Sequence, residues 1–407
     1  MDSNEKQSSG DYKRRLGYLS AALRVSTHPE AEAAGPRSHI LGTISGFEGL
    51  GWQVFPFIVG DRLPPKSVKQ GGGQAIGRSP MRILLSDLIR ISSGIVNSYS
   101  AWTLLRGKVD WVYERYALLQ SLGGRFKRHG IPWVLESNGL LSYEAKHERK
   151  SVVLYRLARR IELGAYRNCD VLVCVNENLK TVILNEAKIN SEKVIVSPNG
   201  VDVNFFSPDT TSPTRVFEGF TIGYVGGVIP RQGLDLLIEV MADLITTEML
   251  EDIFLVVVGA GISRSELERK VTDLRLNNHV KFVGLVSRDV VPSYISGFDV
   301  GFSGQVIQPI GQMYHSPLKI YEYMAMTKPV IASCFADAQA VIENKATGFL
   351  FTPGDKESLK EALLLAYARR PQLLEMGRLA RQEIVQHHSW VSRISNLISQ
   401  VEEILAR

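Results

Sequence analysis

The sequence predicts an α/β protein of two domains, each a Rossmann-like doubly wound parallel sheet, facing one another across a central cleft. Three observations carry that expectation. The chain has 407 residues, 44% of them apolar, enough for two or three domains that each bury a core. Short β-branched runs alternate with longer segments of helical period, as βαβ units do, and the alternation occurs twice. Between the two series lies NGVDVNFFSPDTTSPTRVFEG (199–219), whose Pro, Ser, Thr and Asp content is turn and linker chemistry, which puts a hinge near 198–218.

Taken in order, residues 1–14 are polar, carry neither an apolar signal stretch nor a lipidation motif, and read as a disordered tail. The first series of strands comprises LGYLSAAL (16–23), WQVFPFIV (52–59), WVYER (111–115), IPWVLES (131–137), DVLVCVN (170–176) and VIVSP (194–198). Helical segments fall between them at 37–49, 81–100, 116–129 and 142–168. The second series comprises FTIGYVG (220–226), FLVVVG (254–259), VKFVG (280–284), VGFSG (300–304), PVIAS (329–333) and GFLFT (348–352), with helices at 233–248, 264–275, 317–326 and 356–369. The last segment places Trp390, Ile394, Leu397, Ile398, Val401 and Leu405 on one stripe, so a terminal helix within 388–407 is free to cross back onto the first half. The expected domains are 15–197 with that helix, and 198–387.

Composition narrows the function classes. Charged residues make up 22% of the chain, and no apolar run approaches the roughly 18–20 residues that a membrane-spanning helix needs. The three cysteines, Cys169, Cys174 and Cys334, have no C-x-x-C spacing and build neither a disulfide framework nor a zinc cluster, which points to a reducing, cytoplasmic setting. Residues 1–215 hold 29 Lys and Arg against 20 Asp and Glu, whereas the remainder holds 18 against 22, so the two halves present opposite fields. Lys146, Arg149, Lys150, Arg156, Arg159, Arg160 and Arg167 crowd one predicted helix, and Arg82, Arg90 and Arg106 flank an apolar one. This basic half suits an anionic membrane surface, with the protein peripheral at the inner face of the plasma membrane, although a solvated helix face explains the same pattern. No nucleic-acid partner is expected, because no binding module or aromatic-interleaved basic run is present.

Open α/β sheets bind ligands at the carboxyl ends of their strands, so the loops after strands are the places to look. GYVGGVIPRQG (223–233) puts Gly226 and Gly227 at a strand-to-helix turn, a geometry suited to a diphosphate or simply to a tight turn. In HSPLKIYEYMAMTKPVIAS (315–333), Ser316 is a candidate N-cap, Pro317 the first helical position, and Lys319 and Glu322 an i,i+3 pair of the kind that also forms on helix surfaces.

Those stretches, together with SPNGVD (197–202), ENKATGFLFTPGD (343–355), an AAGPRSHI glycine turn (33–40), WVYER followed by IPWVLESNG, and a final HHSW, resemble the retaining GT-B glycosyltransferases of the paired-glutamate type, family 4, group 1. The resemblance spans about residues 15–405. It implies transfer of a hexose or N-acetylhexosamine from a UDP- or GDP-sugar to a sugar or lipid-linked acceptor, with retention, no metal and no cofactor, in polysaccharide or glycolipid synthesis. No Asp-x-Asp element follows any predicted strand to hold a divalent ion on a diphosphate.

By the same resemblance Arg231 and Lys319 neutralise the departing diphosphate and Glu322 holds the donor ribose. Asn138 stands where the family has a histidine, and it would position the sugar from the opposite wall. Gly35 and Pro36 open a helix toward the diphosphate, and Gly226, Gly227, Gln232, Tyr314, Ser316 and Leu318 complete the donor site. Three positions depart from the pattern: Tyr314 replaces the first glutamate, while Gly227 and Gln232 fall where the family has Arg and Lys. Glu136 and Glu114, at strand ends, are candidate acceptor contacts or caps of neighbouring helices. Two other classes remain open, a nucleotide-sugar epimerase and a non-catalytic nucleotide-sugar-binding partner subunit.

Overall fold

The computed structural model describes residues 14–29, 34–63, 79–307 and 313–407. The tail read at 1–14 therefore lies outside the described residues except for Arg14. In the first half, six parallel strands, β1 (Arg15–Ser20), β2 (Gln53–Ile58), β3 (Trp111–Arg115), β4 (Trp133–Ser137), β5 (Val171–Cys174) and β6 (Val194–Val196), line up in the order β2-β1-β3-β4-β5-β6. In the second half, β7 (Phe220–Val225), β8 (Ile253–Val258), β9 (Val280–Gly284), β10 (Val300–Ser303), β11 (Val330–Ser333) and β12 (Gly348–Phe351) take the order β12-β11-β10-β7-β8-β9. Apart from the edge strands β2 and β9, the β-branched runs become strands buried on both faces, as parallel sheets covered by helices require. The strand order reverses beside β1 in one sheet and beside β7 in the other, and the crevice at such a reversal is where open sheets take ligands.

The helices of the first half are α1 (Ala34–Gly49), α2 (Pro80–Leu105), α3 (Gly123–Lys127), α4 (Leu141–His147), α5 (Tyr155–Asn168) and α6 (Glu177–Ala187). Two expected helices are corrected. The segment 116–129 is helical only in α3: Leu119 takes a left-handed φ of 64°, Ala117 bridges Gln120, and the helix begins where the Glu114 carboxylate accepts from the Leu122 and Gly123 N–H groups. The segment 142–168 breaks into α4 and α5. Lys150 takes a left-handed φ of 47°, and the buried Asp87 carboxylate of α2 accepts from the Val153 and Leu154 N–H groups at 2.8 and 3.0 Å, restarting the chain as α5. The seven basic residues assigned to one helix are thus spread over two helices and their connection.

The second half carries α7 (Leu234–Thr246), α8 (Arg264–Asp273), α9 (Val291–Ser296), α10 (Leu318–Ala325), α11 (Ala336–Val341), α12 (Lys356–Ala368), α13 (Leu373–His387) and α14 (Trp390–Ala406). Four of the helices, α6, α9, α11 and α13, had no counterpart in the sequence expectation. The terminal α14 does cross back. A glycine row on α1 receives it: a Cβ at Gly42 would lie 2.0 Å from the Trp390 indole and one at Gly46 2.6 Å from Ile394. Trp390 also binds the hinge, because its N–H donates to Val201 O at 3.2 Å while Val201 N donates to His388 O at 3.0 Å.

Candidate functional site

Two loops meet at the reversal of the second sheet: residues 226–233 after β7, and the segment after β10 that enters α10. The first loop needs its glycines. Gly226 sits at φ 138°, and a Cβ on Gly233, at φ 66°, would lie 1.9 Å from Gly304 O. Nothing lies within 4 Å of a Cβ built on Gly227, so the position where the family has Arg faces open space.

Lys319 points from α10 into this loop. Its ammonium donates to Gln232 Oε1 at 2.8 Å and stands 3.9 Å from the Tyr224 ring centroid. Burial, with Arg231 adding to it, lowers Lys319 to about 7 against the opposing pull of Glu322. Lys319 is therefore not half of a surface ion pair; it is a buried cation with one neutral partner. Glu322, one turn on, is itself raised to about 7 by burial, partly offset by Arg288 and Lys319. Its carboxyl lines a small cavity with Ser38 and Gly42 of α1, Asp202 of the hinge, Arg288, Leu318 and Trp390. That cavity draws on both halves of the chain.

Arg231 lies on the short turn before α7 and reaches across the cleft. Its Nη1–H donates to Glu148 Oε2 at 3.2 Å and to His315 Nε2 at 2.8 Å. His315 is lowered to about 4, chiefly by desolvation, so it is neutral at pH 7 and able to accept that bond. Arg231 Nε and Glu148 Oε1 are buried without a hydrogen-bond partner, while the Asn138 side chain lies against Glu136 and helps to hold that carboxyl low. Buried polar atoms are rarely left unpaired, so Arg231 Nε and Glu148 Oε1, from the two halves of the chain, mark a place for polar ligand atoms.

Tyr314 is fully buried and packs in the hydrophobic core of the first domain, although the chain places it in the second. Its hydroxyl donates to Glu144 Oε1 at 3.4 Å, and Glu144 pairs in turn with Arg149. The position of the family's first glutamate is thus filled by an aromatic plug between domains, with two carboxylates of the opposite domain, Glu144 and Glu148, beside it.

Several expected roles change. Ser316 does not cap α10, which begins behind Pro317 with no side-chain cap; the Ser316 hydroxyl donates to Asp337 Oδ2 at 3.1 Å and accepts from Asn199 N at 3.2 Å, tying the donor loop to the hinge. Glu114 is not an acceptor contact, because both its oxygens are occupied by the Leu122 and Gly123 N–H groups at 2.7 and 2.8 Å. Glu136 Oε1 meets His39 Nε2 at 2.7 Å deep in the first domain. Burial would raise that carboxyl, but His39 and Arg115 hold it below its usual value. Through Oε1 it positions α1, while its Oε2 is buried without a hydrogen-bond partner. Gly35 and Pro36 do stand at the open start of α1, with no atom within 4 Å of a Cβ on Gly35. Two residues later Arg37 faces Arg288, and desolvation followed by that repulsion lowers it. Sequence reasoning missed Glu144, Glu148, His315, Arg37 and Arg288. The HERK and SRD stretches that carry two of them, Glu148 and Arg288, held only surface-like charge, with no spacing to separate them from solvated residues.

Two facing Rossmann-like domains, a glycine turn at the sheet reversal, a buried lysine and a carboxylate one turn on define the GT-B class of transferase. The family model "Glycosyl transferases group 1" matches residues 214–383 and "Glycosyltransferase Family 4" matches 34–205. The chain belongs to this glycosyltransferase family. It is 24% identical over 319 residues to the UDP-Gal:alpha-D-GlcNAc-diphosphoundecaprenol alpha-1,3-galactosyltransferase of Escherichia coli, covering 76% of this chain and 79% of that one. Over 215 residues it is 26% identical to the GDP-mannose-dependent alpha-(1-6)-phosphatidylinositol monomannoside mannosyltransferase of Mycolicibacterium smegmatis, covering 49% and 54% of the two chains. Among solved structures, Anabaena HepE in complex with UDP-glucose superposes with a TM-score of 0.64 at 19% identity over 97% of this chain and 100% of that one. Sucrose-phosphate synthase from Thermosynechococcus elongatus gives 0.70 at 17% over 97% and 99%. Among the described residues no group of three or more His, Cys, Asp or Glu is arranged to hold a metal ion.

Proposed function

We propose that the protein transfers a hexosyl or N-acetylhexosaminyl group from a UDP- or GDP-sugar to a sugar or lipid-linked acceptor, with retention at the anomeric carbon and without a divalent ion. The observation that carries this reading is the convergence on one sheet reversal of Arg231, with its unpartnered Nε, and Lys319, with only a neutral partner. A departing diphosphate would give Lys319 an anionic partner and would meet the Nε edge of Arg231 that Glu148 leaves free. The second domain then serves as the donor half and the first as the acceptor half. The two relatives named above use UDP-galactose and GDP-mannose with lipid-borne acceptors, which supports this class of donor and acceptor.

In the reaction the bond between the anomeric carbon and the diphosphate oxygen breaks, and its electron pair stays on the diphosphate between Arg231 and Lys319. The acceptor hydroxyl forms the new bond on the same face of the sugar and passes its proton to the departing oxygen, so no side-chain base is required. Asn138 could not supply one. Glu322 accepts from the ribose hydroxyls in the cavity it shares with Ser38 and Arg288. Glu148 Oε1 and Asn138 Nδ2 face the sugar from the first domain, and Glu148 stands in for the glutamate that Tyr314 replaced. Closure of the two halves over the sugar excludes water and suppresses hydrolysis.

The test begins with thermal shifts against nucleotides and nucleotide sugars, followed by a transfer assay with the stabilising donor and NMR of the product anomer. Binding, acceptor-dependent turnover and a retained anomer support the reading. Conversion of the donor with no acceptor present would instead make the protein an epimerase. Binding without any turnover would make it a partner subunit.

A further inference from the structure

Residues 313–316 belong to the second half by sequence and to the first by contact. Asn178 Nδ2 donates to Met313 O at 3.0 Å and Asn176 Nδ2 to His315 O at 3.2 Å, both from the start of α6. Tyr314 packs in the core of the first domain, and the Ser316 carbonyl accepts from Asn199 Nδ2 in the hinge at 2.6 Å. The whole segment is thus anchored to the first half and the hinge. Arg231 is anchored to the second half. It lies on the turn Pro230–Gln232, where its carbonyl accepts from Val306 N at 3.2 Å. The contact between His315 and Arg231 therefore joins two separately held bodies, although both residues come from the second half of the sequence.

The imidazole of His315 is a link with two ends. Arg231 Nη1–H donates to Nε2 at 2.8 Å, and a ring nitrogen that accepts carries no proton. The proton then sits on Nδ1, and the backbone carbonyl of Asn138, the ring's partner in the first domain, is an acceptor that suits this tautomer. The Tyr314 ring packs edge-on against the imidazole at 4.8 Å between centroids. On the other side of the link, His315 and the more distant Glu148 share Nη1, so both hold one corner of the guanidinium and leave its Nε edge open. A carboxylate in that place opposes the charge that a diphosphate needs, whereas a neutral imidazole orients the guanidinium and leaves the charge intact. Arginine loses much rotamer freedom when fixed, and fixing it beforehand removes that cost from the moment of reaction.

We infer that His315 is a positioning residue for the proposed transfer: carried by the first domain, it holds Arg231 by Nη1 with the Nε edge turned to the diphosphate. The role rests on the donor-site reading above. It adds that the diphosphate site is complete only when the two halves are together, because one half supplies the cation and the other its holder. His315 acts through Arg231 and has no part in moving the sugar.

Calorimetry with UDP and GDP, together with donor kinetics, tests this on the full chain. His315→Leu keeps most of the volume and removes the acceptor nitrogen. It should weaken diphosphate binding by about tenfold and lower kcat by about 100-fold, with donor KM raised less than kcat is lowered. His315→Gln should recover most of both, because its amide oxygen accepts from Arg231 while its NH2 donates to the Asn138 carbonyl. In an Arg231→Ala background, His315→Leu should cost less than about twofold further, since nothing is left to position. Equal losses in the two backgrounds, or no recovery with His315→Gln, would mark a merely structural residue and overturn the inference. If His315→Leu does not fold, nitrogen NMR of the wild-type imidazoles decides the matter, with His315 identified by the signal that His315→Gln lacks. A proton on Nδ1 is expected, and one on Nε2 would overturn the role. A wild type that binds neither UDP nor GDP would sink the donor-site reading together with this one, whereas binding that is indifferent to His315→Leu removes His315 alone.

Discussion

Glu114 in the first domain and Glu322 at the cleft are the same side chain, and burial raises both to about 7. Their surroundings separate them. Glu114 accepts from two backbone N–H groups and is finished, whereas Glu322 faces a cavity shared with Ser38 and Arg288. The first domain repeats the Glu114 pattern: Glu162 accepts from the Leu141 and Ser142 N–H groups, and Asp87 from Val153 and Leu154. These carboxylates do the work of helix caps from a distance, supplying acceptors to the orphan N–H groups at helix starts. A shifted carboxyl therefore signals function only when its oxygens remain available.

Variants at these positions sharpen or break that contrast. Glu322→Ala and Arg231→Ala are each expected to lower kcat/KM for the donor by about 10²–10³-fold with an intact circular dichroism spectrum, the scale of losing a preorganised charged group in a dry site. An unchanged rate would sink the assignment of that residue. The pH profile comes next. A lysine is cationic below its pKa, and Lys319 at about 7 therefore loses its charge as pH rises through neutrality. Donor kcat/KM should fall by about tenfold per unit on the alkaline side of that value, and Lys319→Arg should flatten the limb because a guanidinium stays charged.

Glu148→Gln should weaken binding of the nucleotide sugar by roughly 5–10-fold while leaving or improving that of the bare nucleotide diphosphate, since it removes a sugar contact and frees Arg231. Equal weakening of both ligands would refute a sugar contact. The smallest effect on activity belongs to Glu114→Gln. An amide cannot accept from both N–H groups as a carboxylate does, so stability should drop by about 1–3 kcal/mol, seen as a lower Tm, with turnover within a few-fold of wild type. A large loss of turnover at unchanged Tm would return Glu114 to the acceptor site.

Raised carboxyls also set a pH dependence of stability. Glu114, Glu162, Glu322 and Asp337 each stand at about 7 in the folded chain and lower in the unfolded one. Between about pH 4.5 and 7 the folded state binds more protons, so stability falls as pH rises through that window. Thermal melts across it check the sign, and Glu322→Gln should reduce the slope.

The two sheets were legible because strand identity follows from local composition: WVYER, DVLVCVN and FLVVVG have no other stable use than burial on both faces. The residues Lys319 and Glu322 were singled out by the family resemblance, because their i,i+3 spacing alone also fits a surface pair. Gly42 and Gly46 carried no visible message until Trp390 and Ile394 came to rest on them.

By itself, then, the sequence determined that there are two parallel-sheet domains, since strand and helix patterns depend on residues near one another in the chain. Only the tertiary structure decided which carboxylates are caps and which are open, that Tyr314 plugs the opposite domain, and that Glu148 meets Arg231 across the cleft. Several of those facts depend on a partner far along the chain, as with Asp87 and Val153 or Arg231 and Glu148. Helical period reports that a face is apolar, and only packing reports whether anything lies against it.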